Sequence, residues 1–204
     1  MNIVPGWLKQ AWNAHQEKLR LKAHHKEQRS ALTQAIADKN PAQIGEVLAA
    51  TEKADVLISH QYRSLLREAI KTNDVATFDS VHNLSGAASP NYTFYDFSPL
   101  VPEGPHHSSR TPLLSAAIDQ GADAIALHLA QNPQTDIQAQ ASSTTSTYHS
   151  GGMFGSGNTE HKTKVDPIPR LLAEKKGMNE VAAVLAQREA ADLTAKAAQL
   201  ARKP

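Results

Sequence analysis

The sequence of 204 residues contains no cysteine. Disulfides, zinc sites built on thiolates and a thiol nucleophile are therefore all excluded. The sequence also lacks an apolar run near the roughly 20 residues of a membrane-spanning helix. Its start, MNIVPGWLKQAWNAH, has no apolar stretch of the signal-peptide kind. We therefore expect a cytoplasmic protein. Export by a route that needs no signal peptide is the alternative.

Aromatic residues and net charge are both scarce. Aromatics make up 5% of the chain and the formal net charge is +1. So small a net charge gives no overall field that would favour nucleic acid or an acidic partner. The charge is uneven, because residues 1–29 hold six Lys or Arg against two Glu. An Ala-rich chain with few aromatics favours stacked helices over a β-sandwich.

Residues 7–28 predict an amphipathic helix. The residues spaced as one helix face are Leu8, Trp12, His15 and Leu19, with Trp7 and Ala11 beside them. The opposite side and the C-terminal half are basic: Lys9, Lys18, Arg20, Lys22, Lys26 and Arg29. Three interpretations stand: a cap that covers the first repeat, an anchor at a membrane surface, where Trp with Lys or Arg suits the lipid interface, or docking to an acidic protein.

The best-formed unit of an internal repeat is segment 110–140. Thr111 suits an N-cap and Pro112 the first helical position. Gly121 suits a left-handed helix end, and a second apolar run follows until Asn132-Pro133 stops it. The segment therefore predicts a helix, a tight turn, an antiparallel helix and an outward loop.

Three poorer copies of this unit share its apolar register. They are 30–57, 64–83 and 168–187. Leu32 and Leu66 lie 34 residues apart, a spacing typical of helical repeats. In the last copy Arg170 stands where the others have Leu.

Segment 110–140 resembles an ankyrin repeat. The matching positions are Thr111, Pro112, Leu113, Ala116, Ala117, Ile125, Leu129 and Asp136-Ile137. Two departures are Leu114, in place of the usual His, and Gly121, which lies one residue later than the family pattern places it. The resemblance covers about residues 29–187. The alternative fold is an irregular bundle of helical hairpins.

The resemblance implies an all-α fold, an ankyrin-like α-solenoid of stacked helix-turn-helix repeats with long finger loops. The repeats would span about 29–61, 62–109, 110–166 and 167–187, between a basic N-terminal cap at 1–28 and a C-terminal cap at 188–204. It also implies a protein–protein interaction module without catalysis, which binds through its finger loops and its concave helix face.

Two insertions interrupt the repeats. In 84–109, Pro90, Pro99, Pro102 and Pro105 argue against regular structure. Insertion 138–166 is rich in Ser and Thr around a central GGMFGSG. Its flanks, SSTTSTYH and NTEHKTKV, either pair as a hairpin or stay mobile.

The aromatic cluster NYTFYDF in the first insertion is the best candidate for binding, because aromatic anchors bury a large area at low entropic cost. Its rings alternate between two sides of the chain, Tyr92 and Phe94 on one and Tyr95 and Phe97 on the other. This arrangement would bury one pair and present the other to a partner. The alternative is that all of them seal the protein's own surface. The predicted partner-binding residues are Tyr92, Phe94, Tyr95, Phe97, His106, His107, Tyr148 and Phe154.

No motif predicts catalysis, a metal or a cofactor. The adjacent pairs His24-His25 and His106-His107 would point apart on a helix. The sequence has no HExxH and no GxSxG, and its Gly-rich run lacks the Lys-Ser/Thr of a phosphate loop. We therefore expect a protein as the partner, and neither nucleic acid nor a small-molecule substrate. A weak membrane-surface contact through the first helix, as in a membrane-peripheral adaptor, is the alternative.

Overall fold

The computed structural model describes residues 6–49, 59–83, 89–97, 106–149 and 158–201; side chains are described there except at 6–10, 25, 59–61, 97, 148, 149 and 158. The chain divides into two compact units, Met1–Ser85 and Gly86–Pro204. No described helix combines the length and the apolar character that crossing a membrane requires.

The first unit consists, in its described part, of two stacked helix pairs. The helices are α1 (Gly6–Ala37), α2 (Pro41–Ala49), α3 (Ser59–Lys71) and α4 (Val75–His82). The first helices of the two pairs, α1 and α3, pack together, as do the second helices, α2 and α4. The largest side chains of this core are Leu32, Ile36, Ile44, Leu66, Ile70 and Phe78.

The second unit combines two further helix pairs with an antiparallel sheet. Its elements are β1 (Thr93–Phe97), β2 (His106–Pro112), α5 (Leu113–Asp119), α6 (Asp123–Gln131), β3 (Ser142–His149), β4 (Asn158–Val165), α7 (Pro169–Lys176) and α8 (Asn179–Ala201). The helices stack in the same way, α5 on α7 and α6 on α8. The strands follow the order β1-β2-β3-β4.

The predicted all-α fold is wrong, because this four-stranded sheet makes the protein mixed α/β. The first insertion forms a hairpin in which Phe94 lies opposite Thr111. The prediction that its prolines prevent regular structure is wrong, because β1 and the start of β2 lie in this insertion. Pro90 precedes β1, and the other three prolines are outside the described residues. Of the two alternatives for the flanks of the second insertion, the hairpin is the one observed, with Ser142 paired to Val165 and His149 to Asn158.

All four helix pairs turn at a residue with a left-handed backbone. These residues are Lys39, Asn73, Gly121 and Gly177, with φ between 51° and 74°. The predicted left-handed end at Gly121 is therefore confirmed. Four residues earlier each pair has a fully buried Ala: Ala35, Ala69, Ala117 and Ala173.

This common turn shifts the repeat register by one residue. Ala117, not Ala116, is the counterpart of the other buried alanines, and Leu114 becomes the counterpart of Leu32 and Leu66. In three pairs, the N–H that follows the left-handed residue donates to the carbonyl of this Ala, at 2.9–3.0 Å. That bond closes a Schellman turn. The apparent extra residue before Gly121 therefore lies at the start of α5.

Several predicted local features are also wrong. Thr111 lies in β2 rather than at an N-cap, and Pro112 precedes the first helical residue, Leu113. Helix α1 runs on past the predicted end near residue 28, so that Ser30 lies inside it. The capping interpretation fails for Trp12 and Leu19, which are 64% and 45% exposed.

Candidate functional site

The start of β1 is held in place by hydrogen bonds to another segment. The side-chain amide of Asn91 makes both bonds: its Nδ2 donates to the Gln134 carbonyl at 2.9 Å, and its Oδ1 accepts the backbone N–H of Asp136 at 2.6 Å. The N–H of Leu113 donates to the Tyr92 carbonyl at 2.8 Å. These bonds fix where the first hairpin begins.

The segment that holds Asn91 is itself held by α8. The guanidinium of Arg188 donates to four carbonyls, at 2.9–3.1 Å, those of Ala130, Asn132, Pro133 and Thr135. Carbonyls at a helix end have no partner within the helix, and a planar guanidinium can satisfy several of them together. Arg188 therefore fixes the loop after α6.

An ion-pair cluster lies next to Arg188. Glu189 accepts hydrogen bonds from Arg170 at 2.9 Å and from Gln138 at 3.2 Å. Arg170 also pairs with Glu174 at 2.6 Å, and these two carboxylates, Glu189 first, raise the pKa of the guanidinium. Arg170 thus stands at the Leu position of the repeat because its charge is compensated by both carboxylates.

Phe94 is a core residue, and its predicted role as a partner contact is wrong. Its side chain is 0% exposed, and its ring meets that of the half-buried Tyr92 edge to face, with centroids 5.2 Å apart. Edge-to-face packing is a favoured arrangement of aromatic rings. Phe94 therefore anchors β1 to the body of the second unit.

Tyr95 points to the opposite side of β1 and is 57% exposed. It pairs in register with Arg110, whose guanidinium carbon lies 6.0 Å from the centre of the tyrosine ring. This distance is at the limit of a cation–π contact. Phe94 is thus buried, Tyr92 half-buried and Tyr95 exposed, so the alternation of environments is observed for these three residues.

Side chains alternate along each strand, so the pairing register places residues of all four strands on the side of the sheet that carries Tyr95. We call ten of them the Tyr95 face; none of these ten is buried. It consists of Tyr95 on β1, His106, Ser108 and Arg110 on β2, Ser142, Thr144 and Ser146 on β3, and His161, Thr163 and Val165 on β4.

Hydroxyl side chains lie in the centre of the Tyr95 face. Thr144 and Thr163 hydrogen-bond through their hydroxyls at 3.1 Å. The Ser146 hydroxyl lies 2.8 Å from Nδ1 of His161, and His106 is the neighbour of Ser146 on the other side. The face therefore offers donors and acceptors between an aromatic ring at one edge and Val165, 55% exposed, at the other.

The other face of the sheet has a different chemistry. His107 lies there, with Nδ1 3.0 Å from the Thr145 hydroxyl. On β4, Lys162 pairs with Glu160 at 3.2 Å, and Lys164 pairs with Asp166 at 3.3 Å. Charged side chains, lysines above all, commonly protect an edge strand from unwanted pairing. His106 and His107 thus lie on opposite faces and do not form one patch.

Three predicted site residues have side chains outside the described part of the structure. The backbones of Phe97 and Tyr148 lie in β1 and β3, and Phe154 is outside the described residues altogether. The residues of the Tyr95 face that were not predicted include Arg110, Ser146, His161 and Val165. The alternation in SSTTSTYH and NTEHKTKV signals a shared face, but only the pairing register brings Arg110 beside Tyr95.

The described residues contain no group of three or more His, Asp or Glu able to hold a metal ion. An open pocket of about 330 Å³ is lined by residues of α6, of the turn between α7 and α8, and of α8, among them Leu127, Met178 and Glu180. Comparison with protein-family models, curated proteins and solved structures finds no match to this chain.

Proposed function

We propose that this protein is a non-catalytic protein-binding module that contacts its partner with the Tyr95 face. The observation that carries the proposal is the pair of neighbours Phe94 and Tyr95. Burial of Phe94 ties the strand to the core, and Tyr95 on the same strand is left 57% exposed. A large aromatic ring on a fixed backbone is a typical binding anchor, because little freedom is lost when it is buried.

The composition of the Tyr95 face supports a polypeptide as the partner. Tyrosine supplies contact area and Ser or Thr hydroxyls supply adaptable hydrogen bonds, the combination that antibody binding sites use for protein surfaces. Arg110, next to the ring, adds a cation of the kind enriched at interfaces. The ankyrin resemblance of the helix pairs agrees with this function and remains a prediction.

Site-specific crosslinking tests the proposal. A photoreactive benzoylphenylalanine is placed at Tyr95 in the full chain and, as a matched control, at Ser143, which is exposed on the other face of the same sheet. We expect position 95 to capture a discrete protein that position 143 does not capture. Equal capture from both positions would contradict the proposal.

Binding by the captured protein is then measured directly with purified components. Tyr95→Ser should weaken it by about 2 kcal/mol, roughly thirtyfold. The control is Leu193→Ser, which removes an exposed apolar side chain, 67% accessible, from α8 of the same unit. An unchanged affinity of the Tyr95→Ser variant would overturn the assignment of this face.

A further inference from the structure

Residues 11–31 of α1, about six turns, are not part of the core of the first unit. From Ala11 to Ala31 every described side chain is exposed or at most half-buried, and burial begins at Leu32. Among the described side chains of α1, core residues come only from its last part, with Leu32, Ala35 and Ile36. The helix therefore presents a long surface that its own unit does not cover.

A basic row runs along one side of this exposed part. Lys18, Lys22, Lys26 and Arg29 follow one another at spacings of four, four and three residues, which places them on one helix face. All four side chains are exposed. Within the described residues none of them forms an ion pair, and Glu17 and Glu27 fall outside this row. We call these four residues the basic row.

Two exposed apolar side chains lie beside the basic row, toward the N-terminus. Trp12 and Leu19 are seven residues apart, so they share a helix face that borders the row. They are 64% and 45% exposed. A water-exposed tryptophan on a helix that also carries a row of lysines is typical of helices that lie in a lipid interface.

We infer that α1 binds an anionic lipid surface, with Trp12 and Leu19 in the interface and the basic row on the headgroups. Charge complementarity favours an anionic occupant, because the row contains four cations and no acid. The apolar pair favours lipid over nucleic acid or an acidic protein surface, since the row alone would suffice for those. The inference concerns the first unit and does not depend on the Tyr95 face.

Repulsion between the like charges of the basic row affects the stability of α1. Lys18, Lys22 and Lys26 are like charges at i,i+4 spacing, which destabilises a helix in water. An anionic surface neutralises this repulsion, and clusters of four or more basic residues on a helix are a known means of attachment to such membranes. Binding should therefore protect the amides of residues 11–29 from hydrogen exchange.

The two tryptophans of the chain, Trp7 and Trp12, are both in α1. Fluorescence of the intact protein that is excited selectively at tryptophan, and not at its four tyrosines, thus reports on this helix alone. We expect a blue shift on titration with vesicles of phosphatidylcholine and phosphatidylglycerol, which added salt reverses. Pure phosphatidylcholine vesicles should give no shift. A shift of equal size with both lipids, or none with either, would overturn the inference.

Matched variants separate this site from general charge effects. Replacement of Lys18, Lys22 and Lys26 together by Gln should weaken vesicle binding at least about tenfold. The same three-charge loss at exposed lysines of the second unit, Lys162, Lys164 and Lys175, should leave binding unchanged. Equal weakening by both triple variants would refute the assignment to α1.

A final experiment distinguishes a lipid surface from other anionic partners. Trp12→Ala should weaken binding to phosphatidylglycerol vesicles, read through Trp7. The same substitution should not affect retention by poly-glutamate or duplex DNA, where charge alone acts. Binding to either polymer at salt concentrations that release the vesicles would assign the basic row to an acidic protein or to nucleic acid, and would reject the lipid surface.

Discussion

Phe94 and Tyr95 are adjacent in the chain and have opposite environments. Because strand side chains alternate between faces, the first is 0% and the second 57% exposed. Phe94→Ala should lower the free energy of unfolding by about 3–5 kcal/mol, since it leaves a cavity in the core. Tyr95→Ala should lower it by less than about 1 kcal/mol. Denaturant unfolding of both variants measures this contrast, and equal losses would contradict the assigned strand faces.

The left-handed turns make a second residue-scale prediction. Gly177 has a φ of +74°, and an added Cβ would meet no atom within 4 Å. Gly177→Ala should therefore cost about 1–2 kcal/mol of stability through backbone strain alone. Gly45, inside α2, is equally open but has ordinary helical geometry. Gly45→Ala should instead stabilise its unit by up to about 1 kcal/mol. If Gly45→Ala lowered stability as much as Gly177→Ala does, backbone strain would be ruled out as the cause.

At the scale of elements, α4 begins at a cap that depends on pH. A carboxylate oxygen of Asp74 accepts the backbone N–H of Thr77 at 2.8 Å. Hydrogen bonds from Thr77 hold the pKa of Asp74 below its ordinary value of 3.8. The folded-state pKa is thus depressed. The stabilisation is therefore present at neutral pH and is lost as the pH falls below 3.8 and through the folded-state pKa.

Asp74→Ala should lower the stability of the first unit by about 1 kcal/mol at neutral pH. Asp74→Asn keeps an acceptor at the cap and removes the titration, so it should retain most of the stability and flatten the acid dependence. Thermal unfolding at neutral and acid pH distinguishes the three proteins. An acid dependence in the Asn variant as steep as that of the original protein would show that another group is responsible.

The helices were the elements that local pattern predicted best. Residues such as Ile44, Leu66 and Leu129 recur at helical spacing and are buried, and turn residues follow each first helix. The boundaries were less accurate, as in α1, because Ser30 matches an N-cap pattern but lies on a helix that continues from Gly6 to Ala37. Nothing in the local sequence prevents the helix from passing through this position.

At the scale of the whole molecule, the sheet is what altered the predicted fold. Each hairpin joins segments close in the chain, but the pairing of β2 with β3 brings Arg110 beside Ser142 across a helix pair. Such a contact depends on how α5 and α6 place the two strands, and periodicity does not report it. The composition of the Tyr95 face follows from this pairing, which is why Arg110, Ser146 and His161 escaped prediction.

The sequence by itself determined the four helix pairs, the left-handed turn at Gly121 and the aromatic alternation around Phe94, because each depends on residues a few positions apart. The tertiary structure alone decided that the insertions form one sheet, that Phe94 is buried and Tyr95 presented, and that Trp12 is left uncovered. These outcomes depend on the pairing of distant strands and on what packs against a given face. Such contacts lie between segments far apart in the chain, where local preference has no influence.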